Sequence, residues 1–596
     1  MFDVIVIGAG HAGVEAALAA DRRGASVALV SFDRDNIGQM SCNPSIGGVG
    51  KGHLVRELDV FEGAQGWAAD RAAIHHRLLN RSKGAAVFGP RVQADRRLFA
   101  EAVRERVASS SITFIAGEVT ALELQGDVVA GCCLSDDSRL ACRSVVITTG
   151  TFLGGRLFRG TESEAGGRIE ERAASRLGEQ FADLGLVSGR LKTGTPPRLD
   201  GRTIDWARLT PQPSDHEAWA MSIQPGGPPP PQLACAITRT NVATHEVIAR
   251  HGDRSPLYSG DIGGRGPRYC PSIEDKVRRF GDRDGHQLFL EPEGLDTHLV
   301  YPNGISTSLP LDAQVEMMAT IEGLEACEIV KPGYAVEYAY SDPRALAPNL
   351  QHRDIGGLFL AGQINGTTGY EEAASLGLVA GLNAAAHACA LDSITFDRRE
   401  SYIGVLIDDL TLQGVTEPYR MMTARAERRL HLRADNAVAR LAGLARGSGI
   451  SEAHQKLLDD HLNAKSDVEA RLDEPRPDPL SGEGQVRPLR YWLTRSDSRE
   501  AALALLGEGA AAREVGHDVY YAPYVERQER DWQAVHRDLD VTIPESFDFA
   551  RVPGLSTEMV ERLGAVRPST LERASRIQGI TPTALTSLHF ALRHAR

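Results

Sequence analysis

The chain has 596 residues and a formal net charge of −13, with 66 Lys and Arg against 79 Asp and Glu. That balance excludes nucleic-acid binding as a property of the whole surface and confines any such role to a local basic patch. No run of 18 apolar residues marks a membrane span, and the eight cysteines show neither a Cys-x-x-Cys pair nor a Cys/His metal spacing. The expectation is a cytoplasmic enzyme with reduced thiols, no bound metal and roughly three or four domains. An apolar strand begins at the first residues and leaves no room for a signal peptide.

Asp3–Ile7 is a continuous apolar run, the pattern of a buried parallel strand. Gly8-Ala9-Gly10-His11-Ala12-Gly13 follows, then a helix from Val14 that Gly24 ends, then a second strand over Ala25–Val30. Strand, G-x-G-x-x-G, helix and strand in this order form a dinucleotide-binding fingerprint. Gly8 makes the turn, Gly10 lets backbone approach a pyrophosphate, and Gly13 allows close helix packing. The helix N-terminus then faces the phosphates. After the second strand Ser31-Phe32 intervene, which leaves Asp33 as the ribose candidate.

The next segment, Met40–Gly52, carries Cys42 in a Gly/Pro-rich loop. Its Gly50-Lys51 is not a Walker phosphate loop, because Ser45 and Gly52 stand where Gly and Ser/Thr are required. A redox disulfide partner five residues after Cys42 would be Gly47, so no dithiol is present there.

Two later segments choose the dinucleotide. Ser144–Gly150 is a β-branched strand ending at Thr-Gly, and Gly357–Gln363 is a buried strand ending Ala361-Gly362-Gln363 before a small-residue helix. This order resembles the glutathione-reductase-like FAD superfamily, with Gln363 in the place of the usual Asp. The predicted fold is therefore α/β: a Rossmann-type FAD-binding domain from 1–200 and 290–390, an inserted domain over 201–289, and a helical C-terminal region over 391–596.

Inside the insertion, Gln224–Gln232 is a stiff polyproline-like loop. Gly260–Pro267 runs into a helix N-terminus and reads either as a pyridine-nucleotide site or as an ordinary Gly-rich loop. Cys270 comes next, just before Pro271 and a helix with early acids and late bases, near Arg268. A helix N-terminus and a nearby cation favour a reactive thiolate; the other reading is a small buried hydrophobe.

Past 391 the predicted helices are 424–432, 452–472 and 501–506, with a linker at 474–484 and caps at Ser556 and Thr581. Seven arginines (420, 425, 428, 429, 433, 440 and 446) form either a phosphate-binding face or a solvated helix surface. Lys192, Arg198, Lys276, Arg278 and Arg279 extend the same patch.

Long blocks resemble the MnmG (GidA) family nearly end to end: Gly38–His53, Gly189–Arg198, Gly266–Lys276, Leu290–Gly294, Tyr301–Pro310, Ala361–Ala373 and Glu417–Glu427. The resemblance implies FAD contacts at Gly8, Ala9, Gly10, His11, Ala12, Gly13, Val119 and Gln363. It implies an NAD(H) segment at Gly266, Pro267, Arg268, Tyr269, Pro271, Ser272, Ile273, Glu274, Asp275 and Lys276. Cys42 and Cys270 match the two functional cysteines. The nucleic-acid candidates are Lys276, Arg278, Arg425, Arg428, Arg429 and Arg433.

The implied activity is transfer of a carboxymethylaminomethyl or aminomethyl group to C5 of the tRNA wobble uridine. It uses methylenetetrahydrofolate and NADH, in a homodimer that forms a heterotetramer with the GTPase MnmE, docked through the C-terminal helices. The loop over Ile169–Gly178 departs from the family's Pro-rich sequence. Uridine C5 is a poor nucleophile until a thiolate adds at C6, and a second group must then remove the C5 proton. The helix position and Arg268 favour Cys270 as the nucleophile. Two alternatives stand. A folate- and FAD-dependent tRNA uridine-5 methyltransferase lacks the long helical C-terminal region; a flavin NADH oxidoreductase of a small metabolite would use that region only to oligomerise.

Overall fold

A computed structural model describes residues 1–167, 174–217, 219–224, 226–257, 266, 271–280, 283–536, 539, 541–544 and 546–594. Phe2–Ile7 pairs in parallel with Val27–Ser31 on one side and Arg139–Ile147 on the other. Thr113–Ala116 extends one edge, and Leu358–Leu360 lies parallel to Arg139–Ile147. Val119–Gln125, Val128–Leu134 and Arg139–Ile147 form an antiparallel meander that shares the last strand. Val4, Ile5 and Val6 are all fully buried, as a strand covered on both faces requires. This is the Rossmann-type architecture expected of an FAD-binding fold.

Helix His11–Arg22 packs on helix Tyr370–Cys389 at unusually short range. A Cβ added at Gly377 would lie 2.1 Å from the Ala12 carbonyl oxygen, and one at Gly381 would lie 2.1 Å from that of Ala16. Glycines one helical turn apart thus let the two backbones touch. The contact fixes the start of the late helix beside the fingerprint turn.

A second sheet is entirely antiparallel, in the order Thr210–Gln212, Cys235–Arg239, Gln287–Pro292, Leu299–Asn303, Arg198–Asp200, Ile329–Lys331. Its own core includes Leu199, Ile248, Ile273, Leu290, Met317 and Leu324. The boundary expected at 289 cuts a strand of this sheet, whose pairing continues to Lys331. Gln287–Pro292 and Leu299–Asn303 form a hairpin. The Pro and Gly residues of Leu290–Gly294 disguise it, because Pro292 sits at the strand end where its missing N–H costs nothing. A four-stranded sheet of Arg156–Arg159, Glu162–Ala165, Gly189–Thr195 and Tyr334–Tyr340 joins the two.

The C-terminal region is helical, ending in Thr557–Val566, Leu571–Ser575 and Pro582–His594 around Ile543, Phe549, Leu563 and Leu588. Ser556 and Thr581 accept from the backbone N–H groups of Met559 and Ala584, as their cap positions require. The helix expected over 424–432 does not form; Thr423–Arg425 makes one tight turn, and a second closes where the His431 and Leu432 N–H groups donate to the Arg428 carbonyl. Its arginines are drawn to partners on different elements, Arg425 to Tyr419 and Arg428 to Glu529, and no single helix axis satisfies them together. Among the described residues no helix is long and apolar enough to cross a membrane, and no cluster of metal-ligating side chains occurs.

Candidate active site

The fingerprint turn is held by sterics that only glycine meets. Gly8 has φ +106°, and a Cβ at Gly13 would fall 1.8 Å from the Gly8 carbonyl oxygen. Gly10 differs: a Cβ there meets no protein atom within 4 Å. The space in front of Gly10 is open, at the N-terminus of helix His11–Arg22, as a dinucleotide pyrophosphate requires. A slot lined by Ile7–Gly10, Val30–Phe32, Asn36, Gly117–Val119 and Thr148–Gly150 continues from it past the strand ends. Val119, at the start of its strand, is one of the residues that line this slot. Asp33 does not line this slot; its carboxylate accepts from Asp35 N–H within its own turn. Ser31, Asn36, Glu118, Thr148 and Thr149 are the polar side chains that line the slot.

A cavity of about 1050 Å³ runs from Gly10, His11 and Ala12 past Gln363 and Tyr370 to Cys42, and on to Arg77, Gln287 and Asn303. The Cys42 loop is pinned from several sides. Its N–H donates to the Tyr370 hydroxyl at 2.5 Å, and its carbonyl accepts from Arg198 at 2.9 Å. Tyr370 stacks on His11 with ring centroids 4.2 Å apart, and burial pushes its phenol up to about 12. The Cys42 sulfur lies 3.3 Å from the Tyr301 hydroxyl and 3.7 Å from Thr195 Oγ1. Beyond Cys42, Ser45–Gly47 pairs with Gly89–Ala94, and Gly47 N–H donates to Glu371 at 2.7 Å. Lys51 closes the loop, buried between Glu371 at 2.9 Å and Glu372 at 2.7 Å.

Other thiols are of a different kind. Burial pushes Cys132, Cys142 and Cys235 up to about 12, which makes them inert core side chains at neutral pH.

The Glucose inhibited division protein A family profile matches residues 3–392, and that of the tRNA modifying enzyme MnmG/GidA C-terminal helical bundle matches residues 531–596. The chain is 51% identical over 602 residues to the tRNA uridine 5-carboxymethylaminomethyl modification enzyme MnmG of Zymomonas mobilis, covering 98% of this chain and 97% of the relative. It is 44% identical to the MnmG of Granulibacter bethesdensis, over 99% and 98% of the two chains. The crystal structure of Aquifex aeolicus GidA is similar at a TM-score of 0.91 and 41% identity, over 99% of this chain and 98% of that one. The chain belongs to the GidA (MnmG) family.

Within this GidA-family fold, Cys270 lies outside the described residues, together with Pro267, Arg268 and Tyr269. The helix beyond Cys270 is well anchored. Spanning Ile273–Arg279, it is capped by Ser272, which accepts from Asp275 N–H at 3.3 Å. Buried Glu274 accepts from Thr307 and Ser308, and Lys276 donates to the Gly304 carbonyl at 2.6 Å. Of Gly266 and Pro271–Lys276, only Lys276 lines the cavity. Lys192 sits beside Gly266; burial pulls its ammonium below its ordinary range, against Asp275 and Glu274.

The expected basic face is largely consumed inside the protein. Arg433 is 2% exposed and pairs with Asp435 at 2.9 Å and Asp518 at 2.6 Å, so it does not present to phosphates. Arg425 lies 4.1 Å over the Tyr419 ring, and Arg428 pairs with Glu529 at 2.7 Å. Arg429, Arg278 and Arg279 are exposed. Tyr301, Thr195 and Lys51 are site residues that reading by motif type misses, and Arg198, expected in the basic patch, is instead buried against the Cys42 carbonyl and Glu293. Each stands in one of the long family blocks, yet none has a chemistry that spacing alone reveals.

Behind the fingerprint, Glu15 is 1% exposed and accepts from Gln65 N–H at 2.9 Å. Burial raises its carboxyl from 4.5 to about 7, against the pull of Arg22. The folded chain thus holds this proton more tightly than the unfolded one, and the associated stability is lost as pH rises from 4.5 through about 7. Glu15→Gln is expected to match the wild type in acid and to exceed it at alkaline pH by on the order of 2–3 kcal/mol. Denaturant titrations on both sides of that window check this.

Proposed function

We propose that this chain is the FAD-dependent subunit that adds a carboxymethylaminomethyl or aminomethyl group to C5 of the tRNA wobble uridine. In this reading it works as a homodimer with the GTPase MnmE, in a heterotetramer, and uses methylenetetrahydrofolate and NADH. The observation that carries the reading is full-length similarity to MnmG enzymes together with Cys42 opening on the cavity that begins at Gly10. Gly8–Gly13, Val119 and Gln363 would hold the FAD, and Gly266–Lys276 the NAD(H). When bound, the flavin supplies the redox and one-carbon transfer chemistry that side chains lack.

The side chains handle the uridine. A Cys270 thiolate adds to C6, and the electron pair released to C5 attacks an iminium methylene carbon derived from the folate, whose C=N π pair passes to the nitrogen as the new C–C bond forms. The Cys42 thiolate then removes the C5 proton. The C5=C6 bond re-forms as the C6–S bond breaks, returning Cys270 as a thiolate. Lys276 at the cavity, and Arg278, Arg279 and Arg429 on the exposed surface, remain candidates for phosphate contacts.

Mass spectrometry of tRNA nucleosides from a strain lacking this gene tests the reading. An unmodified wobble uridine is the expected result. Loss of 5-methyluridine instead would indicate the methyltransferase alternative, and an unchanged nucleoside profile would leave only a small-metabolite oxidoreductase.

A further inference from the structure

Tyr301 lies in strand Leu299–Asn303, whose side chains alternate between the second core and the cavity. Val300 packs into the core, whereas Tyr301 and Asn303 line the cavity. The Tyr301 hydroxyl reaches the Cys42 sulfur at 3.3 Å, although 259 residues separate the two in sequence. Three contacts made by one cation fix this pairing. The Arg198 guanidinium lies 4.7 Å over the Tyr301 ring, donates to the Cys42 carbonyl at 2.9 Å, and donates to Thr195 Oγ1 at 2.9 Å. Arg198 is itself held by Glu293 at 2.6 Å. Ring, sulfur and the second hydroxyl are therefore mounted on a single buried frame.

We infer that Tyr301 is the hydrogen-bonding partner that steadies the Cys42 sulfur in both of its protonation states. The role rests on the function proposed above, in which Cys42 takes the C5 proton of the uridine adduct. Before that step the Tyr301 O–H donates to the thiolate. During it an S–H bond forms as the C5–H bond breaks, and the C5 electron pair restores the C5=C6 bond as the other thiolate leaves. Afterwards Tyr301 has only to rotate its O–H so that the hydroxyl oxygen accepts from the thiol. The tyrosine keeps its own proton throughout, so no further acid or base is required. A hydrogen bond to a charged acceptor is stronger than one to a neutral acceptor, so Tyr301 favours the thiolate.

The experiment measures alkylation of Cys42 by iodoacetamide in the flavin-loaded full-length enzyme, read by peptide mass spectrometry from neutral to alkaline pH. In Tyr301→Phe the reactivity midpoint is expected to rise by about one unit, a roughly 10-fold loss of alkylation rate below it. The Phe side chain keeps the ring under Arg198, and the melting temperature reports whether the fold is intact. A fluorinated tyrosine placed at 301, a more acidic donor of nearly the same shape, is expected to move the midpoint the other way. Rates of tRNA modification by Tyr301→Phe should fall in kcat with KM unchanged. Midpoints that stay fixed in both variants overturn the inference. A midpoint that shifts in an enzyme whose wild type modifies no tRNA overturns the proposed reaction but not the contact.

Discussion

Gly13→Ala is expected to abolish flavin binding and to cost the fold at least ~3 kcal/mol, at the upper end of what overpacking exacts. The new methyl would sit 1.8 Å from the Gly8 carbonyl oxygen and 2.8 Å from Thr148 Oγ1. Neither neighbour can retreat. Gly8 is fixed at φ +106°, and the Thr148 hydroxyl donates to the Ile7 and Gly8 carbonyls at 2.8 and 3.0 Å. The start of helix His11–Arg22 would have to move, and with it the close contact of Ala12 and Ala16 with Gly377 and Gly381. Gly10→Ala is the informative comparison, because a Cβ there meets nothing in the protein. It should leave the melting temperature near that of the wild type while still displacing the cofactor, if a pyrophosphate passes over that position. Flavin content per chain and melting temperature, measured on both variants, separate the two effects. A Gly10→Ala protein that retains its flavin would contradict the FAD reading of the turn.

The contrast between these glycines explains what the sequence could reveal. Gly8, Gly10 and Gly13 respond to local constraints, a turn, an approach and a close packing, each of which acts within a few residues and restricts the residue type. The strand, turn and helix over 2–22 are legible for that reason, as are the caps at Ser556 and Thr581. The hairpin of Gln287–Pro292 with Leu299–Asn303 is not. Its strands carry Pro292 and Pro302, and their pairing is decided by a sheet assembled from segments between Arg198 and Lys331. Arg433 misleads in the same way: arginines in a run look like a phosphate-binding face, but Asp518, from a helix 85 residues away, draws this one inside. Cys42 stands out for its loop, whereas its neighbours Tyr301 and Thr195 come from other strands, and an isolated Tyr or Thr carries no motif. Proximity across the fold is the information that a linear pattern lacks.

Lys51→Met is expected to destabilise the chain by ~3–5 kcal/mol, the cost of leaving buried charges without their partner. Burial alone would push the Lys51 ammonium down, yet Glu371 and Glu372 outweigh it and hold it above its ordinary range. Glu372, fully buried, is held below its ordinary range because Lys51 overcomes the opposing effect of burial. Its contribution to stability is therefore present above pH 4.5 and lost as pH falls through its lowered folded value. Without Lys51 the sign reverses. Glu372 would resist ionisation, so the deficit of the variant should be greatest near neutrality and should shrink in acid. The same carboxylates bind the Gly47 N–H at 2.7 Å and the Met421 N–H at 2.9 Å, which ties the Cys42 loop to the start of helix Tyr370–Cys389. Loss of tRNA modification is expected to accompany the loss of stability, even at temperatures where the variant remains folded. Adding Glu372→Gln to Lys51→Met removes one of the stranded charges and should recover part of the stability, but little activity, because the loop stays loosened. Urea unfolding at neutral and mildly acid pH, with modification rates on the same samples, decides the matter. A single variant within ~1 kcal/mol of the wild type at neutral pH would show that Lys51 is not the main support of the two glutamates.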